Sequence, residues 1–491
     1  MATSTDEKAA IQHSPSPPDM IEYSPEDKHT DSDDEKHEVF QKNANVNFRT
    51  VGWVRCSVIF LKVLFATGVL AIPTAMTVLG AVGGALSVLG WGCLNTYTAI
   101  IQGDFRNRHR GCHSIADMAY EVGGRWLMEL VGGLFVIAYV LCTGAGIVGL
   151  SVAFNTFSGH GTCTVWFSLI SAIIVAACAS VRKFHKLSWL TFAGFISVFI
   201  AVLMIVIAVT TLDRPAAAPQ TGPFELGYYA IPPSVPFAAG MAATCTIFIS
   251  SAGTSAFLPV ISEMREPRDY RKAVYIAMGF VTCSYLVFAS IVYRWCGQYV
   301  ASPSLGSAGH RMQIAAYAVG FIGLAVSACL YLHVAAKYVF VRILRNSRHL
   351  QENTFVHWGT WLGLTFSLCG IAFILAESIP IFNFLIALTG SVCFAPLAII
   401  LPGYLWIHDH RGYLRGGAGK KIVFVLHGLM MLLGTFLCVG GTYGVVEEIL
   451  GAYASGLIGE YQRAQGIWAV SRFADVGVGG AFSCADNSAS S

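Results

Sequence analysis

Two clusters of small residues interrupt long apolar runs where backbone chemistry becomes available. Ala66, Thr67 and Gly68 precede Pro73 in one run, and Ser250, Ser251, Ala252, Gly253 and Thr254 precede Pro259 in another. Amides and carbonyls freed at bilayer depth cost several kcal/mol each against lipid, so such a break survives only where it is buried in protein or lines a cavity. Amides near Ala66, Thr67 and Gly68 would stand at the positive end of the half-helix that follows, which suits a carboxylate. Carbonyls near Ser250 and Ser251, with Gly253 and Thr254 in the same stretch, suit an ammonium group or a cation. Together they match the two charged ends of a free amino acid. Each break lies about 16 or 17 residues into its run, near the membrane midplane at about 1.5 Å per residue. Close helix packing and a proline kink would explain one such break. Two at corresponding positions, each followed by proline at a similar offset, point instead to a site between repeated halves.

The elements that must position these residues are membrane helices. The chain is 55% hydrophobic and 12% charged, with a mean hydropathy of +0.61, a balance that no soluble surface of this size tolerates. Runs of about 20 apolar residues, each enough to cross the hydrocarbon, predict eleven spans near 52–79, 82–103, 127–157, 163–181, 187–212, 236–262, 272–293, 312–336, 355–376, 380–407 and 422–446. With the N-terminus cytoplasmic, the five inner connections hold 19 lysines and arginines, whereas the outer ones hold only Arg214, Arg294 and Arg311. That asymmetry places the C-terminus outside. The formal charge of +3 hides this sidedness and gives no reason to expect a nucleic-acid partner. Residues 1–50 are rich in Ser, Pro, Asp, Glu and Lys, with DSDDEKHE at 31–38. They read as a disordered cytoplasmic tail that lacks the pattern of a secretory signal. Residues 51–447 form the transmembrane domain, and 448–491 an extracytoplasmic tail.

Ionisable groups inside spans are expensive and mark function by default. Lys62 precedes the first break by one turn, where it either ties that span to another, responds to the coupling ion or snorkels. His333 lies deep in the eighth span, one turn before an inner-end anchor, Lys337, and has a side chain able to titrate near neutral pH. Ser327 is the only hydroxyl residue near mid-depth in that span. Glu263 and Glu377 sit at span ends as gating candidates or solvated termini, and His427 in the last span reads as a packing residue. Most of the 14 cysteines fall within spans, and none has zinc-site spacing. Cys163 and Cys484 are both assigned outside, where a disulfide can form, with Cys296 as a competing partner. There is no P-loop, nucleophile motif or metal-ligand spacing, so neither an enzyme nor a bound cofactor or metal is expected. No acidic ring or carbonyl filter suggests a channel.

KVLFATGVLAIPTAM at 62–76, PVISEMREPRDYRKAV at 259–274 and AESIPIFNFLIALTGSVCFAPLAIILP at 376–402 resemble motifs of the amino acid/auxin permease family, and most closely those of its fungal neutral amino-acid permeases. Ala66 stands where that family usually has the first glycine of the break. The resemblance covers about 45–450. It implies an all-α, LeuT-like inverted five-plus-five repeat with one extra C-terminal helix. It further implies ion-coupled uptake of amino acids by alternating access, with a cysteine at the outer start of the fourth span and another near the C-terminus. A sodium shell would want two adjacent hydroxyls in the eighth span, so Ser327 alone is weak support for sodium, and the fungal resemblance implies protons as the coupling ion. Cavity walls near Phe65, Phe248 and Ile249 carry no charge, which favours neutral substrates. The plasma membrane is the expected location, with the vacuolar membrane, an exporter or an amino-acid sensor on the same scaffold as alternatives.

Overall fold

The computed structural model describes residues 51–454 except 110, 160, 182, 183, 263, 346, 351 and 353. Glu263, Cys484 and the 1–50 tail therefore lie outside the described residues. The chain is helical throughout: α1 (Trp53–Leu64), α2 (Ile72–Arg108), α3 (Ile115–Ser158), α4 (Thr164–Ala179), α5 (Phe184–Thr211), α6 (Phe237–Ala252), α7 (Leu258–Ser262), α8 (Tyr270–Cys296), α9 (His310–Leu344), α10 (Phe355–Ser378), α11 (Phe382–Thr389), α12 (Leu401–Asp409) and α13 (Ala418–Ala454). Two π-helical turns, Gly390–Phe394 and Pro396–Ile400, join α11 to α12.

Among the described residues, nine helical segments are long and apolar enough to cross a membrane, against eleven spans expected. The difference falls in two places. The first expected span is divided between the 12-residue α1 and the start of α2. The fourth, α4, has 16 residues, about 24 Å of helix against roughly 30 Å of hydrocarbon. α2 then contains both the end of the first expected span and the whole of the second. Its direction changes at Gly80, whose φ of 76° lies in the left-handed region. The loop between α5 and α6 fills that corner: Ala81 N donates to Tyr229 O and Val82 N to Ala230 O, both at 3.0 Å. α13 runs on to Ala454, past the expected start of the tail at 448.

Burial separates core from periphery. In the apolar stretch of Phe382–Asp409, 78% of residues are buried, against 22% in α13, which therefore lies on the outside of the bundle. The start of α1 and the segment after α7, at the same end of the two broken helices, are strapped together. Val51 and Met264 form a parallel bridge, Arg265 N donates to Val51 O at 2.9 Å, and Phe60 stacks on Phe257 with centroids 3.9 Å apart. Nearby, Arg271 pairs with Asp104 at 2.6 Å and Arg108 with Asp409 at 2.9 Å. His427 packs flat on Trp406 with centroids 3.6 Å apart, and its Nε2 lies 2.7 Å from the Tyr97 hydroxyl, an interface role like the one its sequence position suggested.

A β-carbon at Gly80 would stand 2.6 Å from Pro232 Cδ and 2.9 Å from Ala230 O, in addition to a left-handed backbone cost of roughly 1–2 kcal/mol. Gly80→Ala should lower the melting temperature in detergent by several degrees. Gly90→Ala, with no atom within 4 Å of the added carbon, should leave it unchanged. Equal melting curves would show that the loop is not held at this corner.

Candidate functional site

The first break begins where α1 ends at Leu64. Phe65, at φ −79° and ψ 74°, leaves the helix while its amide donates to Leu61 O at 2.7 Å. Ala66 N turns back to Leu64 O at 2.9 Å. Regular bonding resumes only with Leu70 N to Thr67 O and Ala71 N to Gly68 O, at 3.2 and 3.1 Å. Between these, the amides of Thr67, Gly68 and Val69 donate to no backbone carbonyl among the described residues. They stand at the head of the Gly68–Leu70 3-10 turn that feeds α2, the positive end of a helix. Ala66 is completely buried with its amide spent, so the free donors start at Thr67 rather than at Ala66 as expected.

The second break begins after Ala252. Gly253, at φ −67° and ψ 21°, donates to no α6 carbonyl, and a 3-10 turn over Gly253–Phe257 leads into α7. The loosened carbonyls are met by side chains from other helices. The Tyr285 hydroxyl of α8 lies 2.6 Å from Leu64 O and 3.1 Å from Ser250 O, so one phenol serves both breaks. The Tyr331 hydroxyl of α9 is 3.3 Å from Val63 O. The Ser250 hydroxyl is 3.1 Å from Gly68 O and 2.9 Å from Thr246 O.

Between the breaks lies a small cavity of about 30 Å³. Val63, Leu64, Thr67 and Gly68 form one wall, and Ile249, Ser250 and Gly253 the opposite one. Tyr139, Cys142 and Ala145 of α3, Tyr331 of α9, Ile386 and Thr389 of α11 and Phe394 of the first π turn complete it. No lining residue is ionised at neutral pH. Of the residues expected from sequence, Thr67, Gly68, Ser250 and Gly253 line the cavity. Ala66, Ser251 and Thr254 do not. Ser251 Oγ faces α2, where Asn95 Nδ2 donates to it at 2.8 Å, and Thr254 is fully buried. Phe65 and Phe248 also turn away: Phe65 packs on Phe195 and Phe199, and Phe248 sits against the Trp91 ring at 5.1 Å. Sequence reasoning missed Tyr139, Cys142, Ala145 and Tyr331, which sit in uniformly apolar runs. Ile386, Thr389 and Phe394 lie within the 376–402 segment, whose individual roles had no separate signal.

The coupling candidates fall in different places. Lys62 is completely buried, and its Nζ lies 3.2 Å from Gly323 O and 2.6 Å from Ser327 Oγ, so two residues singled out separately meet across α1 and α9. His333 is remote from them. Its Nδ1 is 3.2 Å from Ala179 O at the end of α4, and its ring stands edge-on to Trp361. Glu377 is buried near the outer end of α10 beside Ser168 and is in no ion pair among the described residues. Cys163 is disulfide-bonded, whereas Cys296 is free and buried.

Comparisons with known proteins agree with this geometry. The family described as transmembrane amino acid transporter protein matches residues 49–447. A transmembrane transporter of Gibberella moniliformis is 50% identical over 426 residues, covering 86% of this chain and 90% of the relative. The N amino acid transport system protein of Neurospora crassa is 27% identical over 426 residues, covering 85% and 89%. Among solved structures, the nucleobase-cation-symport-1 family transporter Mhp1, closed around bromovinylhydantoin, aligns with a TM-score of 0.51 at 14% identity, covering 83% of this chain and 93% of its own. MhsT in complex with L-phenylalanine aligns with a TM-score of 0.50 at 13% identity, covering 81% and 98%. These likenesses establish a LeuT-like fold.

Tyr285→Phe removes the hydroxyl shared by Leu64 O and Ser250 O, and a buried polar group left unsatisfied costs about 1–3 kcal/mol. The variant should unfold in detergent several degrees below wild type. Tyr275→Phe, at an exposed tyrosine of the same helix, should not. Identical melting of both variants and wild type would remove Tyr285 as the brace.

Proposed function

The chain belongs to the family of transmembrane amino acid transporters, and from that premise we propose that it moves neutral amino acids, aliphatic or aromatic, by proton symport with alternating access. The observation that carries this reading is the cavity itself. It has free amides on one wall, a helix end on the other and no ionised side chain between them. The substrate carboxylate binds the amides of Thr67, Gly68 and Val69, and its ammonium group faces the loosened carbonyls at the end of α6. The substrate side chain lies among Cys142, Ala145, Ile249 and Ile386. A charged one would find no opposite charge there, and its desolvation would go uncompensated.

Proton coupling is supported by Lys62, which occupies the one mid-depth hydroxyl of α9 that a hard cation could use. The matched design of the two breaks, with α13 peripheral, supports an inverted five-plus-five repeat of eleven spans with one extra helix. The basic inner connections support a cytoplasmic N-terminus and an external C-terminus. The disulfide state of Cys163 supports placing its end of α4 on the oxidising side, and the plasma membrane is the proposed location.

In proteoliposomes, uptake of labelled alanine or phenylalanine should rise as the outer pH falls and should ignore replacement of sodium by choline. Uptake abolished by sodium removal at constant pH would refute proton coupling, and stronger competition by lysine or glutamate than by neutral amino acids would refute the selectivity. A β-carbon at Gly68 would stand 2.9 Å from the Ser250 α-carbon, whereas at Gly253 the nearest atoms are methyls of Leu64 and Val63 at 3.6 Å. Gly68→Ala should therefore lose about ten-fold or more in apparent affinity, a difference of about 1.4 kcal/mol, while Gly253→Ala, where the added carbon meets only ordinary contacts, should lose less. The reverse ranking would misplace the carboxylate site.

A further inference from the structure

We infer that the Lys62 amine carries the coupled proton, an assignment that rests on reading the chain as a proton-driven amino-acid carrier. Nζ is sealed at the junction of α1, α5 and α9, with Gly323 O and Ser327 Oγ as its two acceptors, at 3.2 and 2.6 Å. The Ser327 hydroxyl spends its own hydrogen on Gly323 O at 2.7 Å, so it presents a lone pair to the amine. Two acceptors match the two N–H groups of a neutral amine. An ammonium group brings a third N–H, for which the described residues offer no acceptor, and none of their ion pairs includes Lys62. Loss of the proton thus leaves both hydrogen bonds in place while removing a buried, uncompensated charge.

The surroundings are built for this side chain. A β-carbon at Gly194 of α5 would stand 3.2 Å from Lys62 Cε and 3.1 Å from Val326, so the space is kept open by a glycine. One turn earlier in α9, the Ser197 hydroxyl lies 2.6 Å from Val319 O and 3.0 Å from Gly323 N, inserted into that helix's own ladder. The titratable groups facing the junction are few. α8 presents Tyr285 and α9 presents Tyr331, whose hydroxyls are directed to Leu64 O and Val63 O. His333 of α9 faces α4 through Ala179 O. α5 contributes Gly194 and Ser197, and the 253–257 turn contributes no ionisable side chain. Cys245 of α6 lies against α13, where a β-carbon on Gly441 would meet its sulfur at 2.5 Å. Among the described residues no carboxylate is hydrogen-bonded or ion-paired to Lys62.

Lys62 also adjoins the cavity in sequence, because Val63 and Leu64 line it. A change in the charge held between α1 and α9 therefore acts on the segment that carries the cradle. In the cycle, the neutral amine takes a proton from outside water as substrate binds. The ammonium later returns that proton to cytoplasmic water as substrate leaves. One N–H bond forms and one breaks for each amino acid moved.

The test uses full-length protein in proteoliposomes with labelled alanine, under an imposed inward proton gradient and, separately, as exchange at equal pH on both sides. Wild type should accumulate alanine. Lys62→Met should lose at least ten-fold of the gradient-driven accumulation, and any exchange that remains should no longer vary with pH. Ser327→Ala keeps the lysine but removes an acceptor of its charged form, so its half-maximal uptake should move to lower pH by about half a unit or more; this variant decides the matter if Lys62→Met does not fold. Gradient-driven accumulation by Lys62→Met with the wild-type pH profile, or an unmoved midpoint in Ser327→Ala, overturns the assignment. Absence of amino-acid uptake by wild type itself would instead overturn the transport reading, so the two failures are distinguishable.

Discussion

A helix that loses its hydrogen bonds at bilayer depth must have every freed backbone group met by another part of the protein. That constraint organises this molecule. The carbonyls of Val63, Leu64, Gly68 and Ser250 are met by Tyr331, Tyr285 and the Ser250 hydroxyl. To deliver one phenol to both breaks, α8 must lie across them, and it packs against α1, α2 and α5. Asn95 of α2 then reaches Phe248 O and Ser251 Oγ, which fixes the rotation of the last turns of α6. The amides of Thr67, Gly68 and Val69 are the donors of the first break that no backbone carbonyl among the described residues meets.

The breaks were legible in the sequence because their signals are local: small residues in mid-span with proline a few residues on. What could not be read was rotation about the helix axis. Thr67 and Gly68 face the cavity while Ala66 does not, and Ser250 faces it while Ser251 turns to Asn95, because a broken turn presents only some of its residues to one side. Tyr139, Cys142 and Ala145 stayed hidden for a different reason. A helix such as α3, apolar nearly all round, has no periodic stripe to show which face is functional. Lys62 and Ser327 were each conspicuous as a polar group in an apolar span, yet their meeting joins residues far apart in sequence and depends on how α1 and α9 pack. The nine long apolar helices and the eleven expected spans differ where the first helix divides and where α4 is short, since length and composition alone do not show where packing covers a broken or short helix.

The closure at the shared end of the broken helices joins weak contacts to one strong one. Arg271–Asp104 and Arg108–Asp409 are partly exposed, and pairs of that kind contribute about 0–1 kcal/mol each. The single Val51–Met264 bridge adds little more. Phe60, stacked on Phe257 and edge-on to Tyr270, carries the larger share through buried area. A closure of this composition holds these half-helices together but parts at modest cost, as the proposed alternating access would need. The tyrosine braces at the breaks are buried.

A cavity without ionised side chains and a buried amine nearby are compatible because of helix geometry. Successive residues of an α-helix point about 100° apart. Lys62 accordingly reaches α9 through Gly323 and Ser327, while Val63 and Leu64 turn to the cavity. The amine is thereby kept out of the cavity but on the same turn as its walls. The cavity presents dipoles and no ion, which on the proposed function complements a zwitterion of zero net charge. Had the lysine stood one position later in the chain, its amine would point into the cavity itself, and such a pocket would favour acidic side chains over neutral ones.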